Sequence, residues 1–325
     1  WGECASPPDP YYCEETTETC WHILKDFLIP ATIGRSWTRI EDVAGFHRKV
    51  KRNNFAKAGL EMACWDLLAQ AEETPLSRLL GGTRTEILSG VSLGIVQDTG
   101  RLFGFIDQYV REGYRRIKLK IKPGYDVQLA RAVREQFPTL SFMLDANSAY
   151  TLDDTPTLQA LDAFDLLMLE QPLGYDDIYN HSKLRLALKT PLCLDESIVS
   201  LDHAQFALEI GACDIINIKP SRVTGWTVAR QIHDLGVEAG IGLWVGGMLE
   251  TGVGRAAQLA LASLPGFNLP GDISATERYY VPDIVAPFVL NSEDGTISVP
   301  DQPGLGITID FERLASVTLQ RETFN

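Results

Sequence analysis

The 325-residue chain has no apolar run approaching the length of a membrane-crossing helix, so nothing in it reads as a transmembrane segment. It is short of positive charge. Its 29 Lys and Arg face 43 Asp and Glu, a formal net charge of −14. Nucleic acids and anionic membranes need basic surfaces, so neither is expected as a partner. No two cysteines form a C-x-x-C pair. The six (Cys4, Cys13, Cys20, Cys64, Cys193, Cys213) are expected to be free thiols in a reduced cytoplasm, not a zinc site or a disulfide framework. Low-complexity tracts are also missing. A hydrophobic share of 45% over this length is enough for a large core, in one big domain or two smaller ones. The chain opens on Trp1, not Met, and its first residues read as the middle of a domain. A further segment ahead of them is expected.

What is present is a change of period along the chain. Residues from about 12 to 80 follow a helical pattern, clearest in "FAKAGLEMACWDLLAQ", which stops at Gly81 and Gly82. Short apolar strands then alternate with helix-length spacers: "ILSGVSLGI", "RRIKLKI", "LSFMLDAN", "LLMLEQP", "TPLCLDES", "CDIINIKP", "IGLWVGG" and "GFNLPGD". Eight such units predict an α/β fold, a (β/α)8 TIM-like barrel with parallel strands. After residue 276 the character changes. "PFVLNSEDGTISVPD" reads as a hairpin with an Asp-Gly turn, in a tail expected to pack on the N-terminal segment. The expected division is 1–82, 83–276 and 277–325.

Charged residues close five consecutive strands. Lys120, Asp145, Glu170, Asp195 and Lys219 succeed one another at steps of 25, 25, 25 and 24 residues, about one βα unit each. A single acid at a strand end is usually a helix cap or a loop charge. Five in equivalent places suggest one site at the barrel mouth. Asp145, Glu170 and Asp195 would repel one another without a cation. All-oxygen ligation suits Mg²⁺, with Mn²⁺ or another divalent metal able to substitute. Lys118 and Lys120 share one face of their strand, because strand side chains alternate. Lys118 is placed to crowd Lys120, and a crowded or desolvated lysine can act as a base. The implied chemistry is removal of a proton α to a carboxylate, with the metal stabilising the resulting enediolate.

The chain resembles the enolase superfamily, in its muconate-lactonising branch, and most closely the o-succinylbenzoate synthase / N-succinylamino acid racemase family. The resemblance rests on "AKAGLEMACWDLLAQ", "PLSRLLGGTR", "GVSLGI", "KLKIKPGYD", "LDANSAYT", "LEQPL", "LDESI", "NIKPSRVTGW", "GGMLETGVGRAA" and "LPGDISATERYYVPDI", in order over nearly the whole chain. It implies an α+β capping domain built from the N-terminal segment and the C-terminal tail. It implies Asp145, Glu170 and Asp195 as metal ligands, with Lys120 and Lys219 as the catalytic pair on opposite faces of the substrate. It also implies a missing segment of a few dozen residues carrying a lid loop. Asn147 reads as a group orienting ligands or as a turn residue. Glu196 is expected to face Lys120 or lie just behind it. Arg222 either lowers the pKa of Lys219 or is a surface residue. Ser92, Gly246, Gly247, Met248, Leu249 and Glu250 fall where the resemblance puts contacts to a succinyl arm. The five histidines match no strand end and are expected to be structural or exposed. The expected partners are a small-molecule carboxylate and further copies of the chain.

The resemblance implies a Mg²⁺-dependent synthase that dehydrates a succinyl-hydroxy-cyclohexadiene carboxylate on the menaquinone route, with possible racemisation of N-succinylamino acids. A dedicated N-acylamino acid racemase is the alternative. A dipeptide epimerase would need an acidic pair where only Asp272 stands, and a sugar-acid dehydratase would need a histidine base. A non-catalytic binding barrel would have no reason to keep three clustered acids.

Overall fold

The computed structural model describes residues 1–324. Seven strands form one parallel sheet: β2 (Gly90–Leu93), β3 (Arg116–Lys120), β4 (Phe142–Asp145), β5 (Leu169–Glu170), β6 (Leu192–Leu194), β7 (Ile215–Ile218) and β8 (Gly242–Val245). They are hydrogen-bonded in chain order, which places helices such as Thr99–Glu112 and Trp226–Ala239 on the outside. Strands covered on both faces are nearly continuous apolar runs, as "FMLD" and "IINI" are here. Alternation sorts their side chains. Ile117 and Leu119 pack outward in a core with Leu102, Ile106 and Val133 of the helices. Met143, Met168, Cys193, Ile215 and Trp244 form a separate apolar plug inside the sheet.

The expected eighth strand departs from the ladder. Residues 268–272 make only scattered bonds to the two edges: Asp272 N–H donates to the Val245 carbonyl at 3.0 Å, and Gly90 N–H donates to the Gly271 carbonyl at 2.8 Å. Pro270 has no N–H to give, which explains why no regular pairing forms there. The sheet therefore curls almost to a ring and closes through an irregular seam.

The tail also differs from expectation. A tight turn is present at Asp294-Gly295, with Asn291 bridging Thr296. Yet β9 (Thr296–Ser298) pairs antiparallel with β1 (Glu86–Leu88), ahead of the barrel, not with a strand of its own hairpin. The tail touches both parts of the chain. Arg115 grips the carbonyls of Glu293 and Asp294, while Leu305 N–H donates to Asp66 of the helix Asn54–Ala71. All six cysteines are free. Among the described residues no helix is long and apolar enough to cross a membrane.

Candidate active site

The polar residues at the strand ends meet at the C-terminal mouth of the sheet. Register brings them level: Lys120 pairs with Asp145 and Asp145 with Glu170, while Asp195 follows directly after β6. A cavity of about 910 Å³ opens above them, lined by Lys118, Lys120, Asn147, Lys219 and Asp272 and roofed by the loop of residues 9–14. Lys120 on β3 and Lys219 after β7 lie four strand positions apart, half of an eight-position ring. They approach the cavity from opposite walls.

The three acids are wholly buried under these cations. Lys118 Nζ stands 3.5 Å from Asp145 Oδ2, 3.0 Å from Glu170 Oε2 and 2.5 Å from Asp272 Oδ2. Lys120 Nζ is 2.7 Å from Asp145 Oδ2 and also donates to Asn147 Oδ1. Asn147 in turn donates to Glu196 Oε1 at 2.9 Å, so a single amide joins Lys120 to Glu196. Lys219 Nζ is 2.9 Å from Asp195 Oδ2, and Arg222 binds the other oxygen of the same carboxylate. Asn217 Nδ2 holds Glu170 Oε1 at 2.7 Å.

Titration follows from these contacts. Burial and the neighbouring Asp145 and Asp195 push Glu170 up to about 7. Burial and the same two acids push Glu196 up to about 8. Burial also opposes ionisation of Asp145, but Lys120 and Lys118 outweigh it and hold this acid down at about 2. For Lys219, burial lowers the ammonium's pKa, yet Asp195 and Tyr12 raise it further, and the balance lies above the ordinary lysine value. Arg222 and Lys118 do push Lys219 downward, the direction expected of Arg222, but Asp195 wins. Lys118 is likewise raised, burial being overcome by Asp272, Glu170 and Asp145. It is a clamped cation whose charge is answered by three carboxylates.

Ser92, Gly247, Met248 and Leu249 line the cavity, but Gly246 and Glu250 do not. A Cβ on Gly246 would stand 2.1 Å from Asn217 Oδ1, so the residue serves close backbone approach. Glu250 turns away from the cavity: its oxygens accept the Met248 N–H at 2.8 and 2.9 Å and the Gln258 amide at 2.5 Å. Arg222 is buried beside Asp195, which removes the surface reading. Several participants escaped the sequence reading. Tyr12 reaches down from the roof, its hydroxyl 3.0 Å from Lys219 Nζ and its ring centroid 4.5 Å from the ammonium. No periodicity marks a loop tyrosine. Asn217 and Arg116 were within reach: each stands two residues before an inward lysine and must share its face. Asp272 is held by Lys118 and Arg116, so it is not free to bind a substrate amine.

Among the described residues no three acidic, His or Cys side chains already form a ready-made ion cage. The donor set nevertheless fits a hard divalent cation. It is all-oxygen, buried and mutually repelling, and a cationic ammonium already bridges two of its members.

The sequence matches the enolase C-terminal domain-like family over residues 104–314 and the N-terminal domain of the mandelate racemase / muconate lactonizing enzyme family over residues 1–81. The chain belongs to this family of the enolase superfamily, whose enzymes use a divalent metal. Its relatives carry two names. One from Bacillus subtilis (strain 168), named o-succinylbenzoate synthase, is 48% identical over 100% of this chain and 87% of its own length. One from Amycolatopsis, named N-succinylamino acid racemase, is 46% identical over 98% of this chain and 86% of its own. The crystal structure of an enolase-superfamily member from Listeria innocua superposes with a TM-score of 0.93 at 42% identity, covering 97% of this chain and 85% of that one.

Proposed function

We propose that this chain is a Mg²⁺-dependent o-succinylbenzoate synthase, acting on 2-succinyl-6-hydroxy-2,4-cyclohexadiene-1-carboxylate. The observation that carries this reading is the pair of lysines on opposite walls above three buried carboxylates. Full-length relatives bearing that name support it. Asp145, Glu170 and Asp195 would hold the metal, which when bound supplies Lewis-acid stabilisation of a substrate carboxylate. Lys120 takes the proton α to that carboxylate and returns it to the departing hydroxyl on the same face, so water leaves by syn elimination. Asn147 accepts a hydrogen bond from Lys120 and donates one to Glu196, which fixes the Lys120 side chain through the amide. Lys219 stays protonated on the other face and steadies the enediolate charge. Ser92, Gly247, Met248 and Leu249 form the wall available to the succinyl arm. Residues 1–82 and 277–325 form the cap in this reading, and 83–276 the barrel.

A second reading rests on the same lysine pair and on the relative named N-succinylamino acid racemase. Two lysines facing each other across one cavity can deprotonate on one side and reprotonate on the other, which is racemisation of an N-succinylamino acid. The two reactions use the same pair, so one catalyst can perform both.

The test is dehydration of the cyclohexadiene substrate by purified protein, with Mg²⁺ and then with excess chelator. Turnover should require the metal and fall by about 10²–10⁴-fold or more in Lys120→Ala, the range for loss of a general base. A folded protein that binds Mg²⁺ but shows no dehydration, while racemising N-succinylamino acids, would assign it to the second reading.

A further inference from the structure

Strand β5 has only two residues, yet it separates the strand ending in Asp145 from the strand that leads to Asp195. Its ladder is too short to fix three loops on its own. The next residue, Gln171, takes over. Its backbone continues both pairings: Gln171 N–H donates to the Cys193 carbonyl at 2.9 Å, and Ser148 N–H donates to the Gln171 carbonyl at 2.8 Å. Its side chain then turns towards the β6 end. Oε1 accepts Asp195 N–H at 2.9 Å, Ser197 Oγ–H at 3.2 Å and Ser197 N–H at 3.4 Å. Nε2 donates to the Gly174 carbonyl at 3.0 Å. One residue therefore ties together the loops that follow Asp145, Glu170 and Asp195.

Two further facts show that the place is built for this side chain. Gln171 is wholly buried, so its amide has no water to fall back on, and both its polar atoms are satisfied within the protein. Its φ is +38°, a left-handed conformation that a non-glycine residue adopts at a cost. A glycine would suit that backbone better and would bring no carboxamide.

We propose that Gln171 is a positioning residue for the cation site, its carboxamide holding the Asp195 turn against the Glu170 turn so that the carboxylates meet one divalent ion. This rests on the metal reading above. Nothing in it requires Gln171 to touch metal or substrate.

The test is titration with Mn²⁺ alone, followed by its electron paramagnetic resonance, on wild type, Gln171→Asn and Gln171→Glu. Metal-free melting curves confirm that each is folded. Asn accepts the left-handed backbone and keeps the amide, but is one methylene too short to reach Asp195 N–H. Glu keeps the acceptor towards Asp195 and, when protonated, a donor towards Gly174. Mn²⁺ affinity should weaken about 10–100-fold in Gln171→Asn, the usual loss for an outer partner of a metal ligand, and return most of the way in Gln171→Glu. Equal affinity in wild type and Gln171→Asn would overturn the proposal, as would a Gln171→Glu protein no better than Gln171→Asn. Should Gln171→Asn fail to fold, Gln171→Gly replaces it, with the same expected loss. A folded wild type that binds no Mn²⁺ would bring down the metal reading, and this inference with it.

Discussion

The two lysine walls of the cavity are built differently. Lys120 keeps 29% of its side-chain surface open and meets one carboxylate oxygen and one amide oxygen. Lys219 keeps 8% and is enclosed by Asp195, the Tyr12 hydroxyl and ring, and the neighbouring Arg222. A group that must accept and release a proton needs room and access, while a group that must remain a cation needs fixed partners. In the proposed mechanism this difference suits Lys120 to the role of base and Lys219 to that of a standing charge. It also explains how one pair can serve a one-sided elimination without using both members as bases.

Substitutions at Lys219 should break this comparison most strongly. Lys219→Ala should abolish racemisation and cut dehydration by about 10²–10³-fold, the range for removing one electrostatic stabiliser. Lys219→Arg keeps the charge but has no neutral form near neutrality that could act as a base, so dehydration should recover while racemisation does not. Equal recovery of both would mean that Lys219 is not a base in either reaction. A smaller effect is expected of Tyr12→Phe, which leaves the ring over Lys219 but removes its hydroxyl. About tenfold should be lost from kcat/KM, the worth of a hydrogen bond to a charged group. The loss should fall on one enantiomer in solvent-deuterium exchange of an N-succinylamino acid, the one whose α-proton faces Lys219. Equal slowing of both would remove Tyr12 from that wall.

The smallest effect lies away from both lysines. Burial, with Glu3 adding to it, pushes Glu250 from 4.5 up to about 7, while Met248 N–H and Arg255 pull the other way. The folded protein then binds this proton more tightly than the unfolded chain does. Stability is lost from this group as pH rises from about 4.5 through about 7, by no more than ~3 kcal/mol. Glu250→Gln should flatten that decline between pH 5 and 8 in denaturant unfolding, with the lysine-dependent rates little changed. An unaltered slope would place the titration elsewhere.

Much of this arrangement was legible in the sequence, because β strands and βα units have fixed periods. The step of about 25 residues put Lys120, Asp145, Glu170, Asp195 and Lys219 at one mouth, and the period of two turned Lys118 inward. What escaped was whatever depends on contacts without a period. Tyr12 comes from a loop, and Glu250 sits in the right segment but turns its carboxylate to its own backbone. Pro270 could have warned that the eighth strand would not join the ladder. The environment of Lys118 could not be read from spacing: two inward cations on one strand suggested mutual crowding, whereas the fold brings Asp272 across to clamp the first of them.

That clamp bears on the irregular seam. Gly90 lies between β3 and the segment 268–272, and a Cβ there would stand 2.6 Å from the Arg116 guanidinium. Through this gap Arg116 reaches the Pro270 carbonyl at 3.2 Å and Asp272 at 2.6 Å, and Lys118 reaches Asp272 beside it. Where backbone pairing is thinnest, a buried ionic clasp spans one whole strand and latches the ring. The latch shares Lys118 with the acids at the mouth, so the clasp across the seam and one of the cations lining the cavity are the same ammonium group.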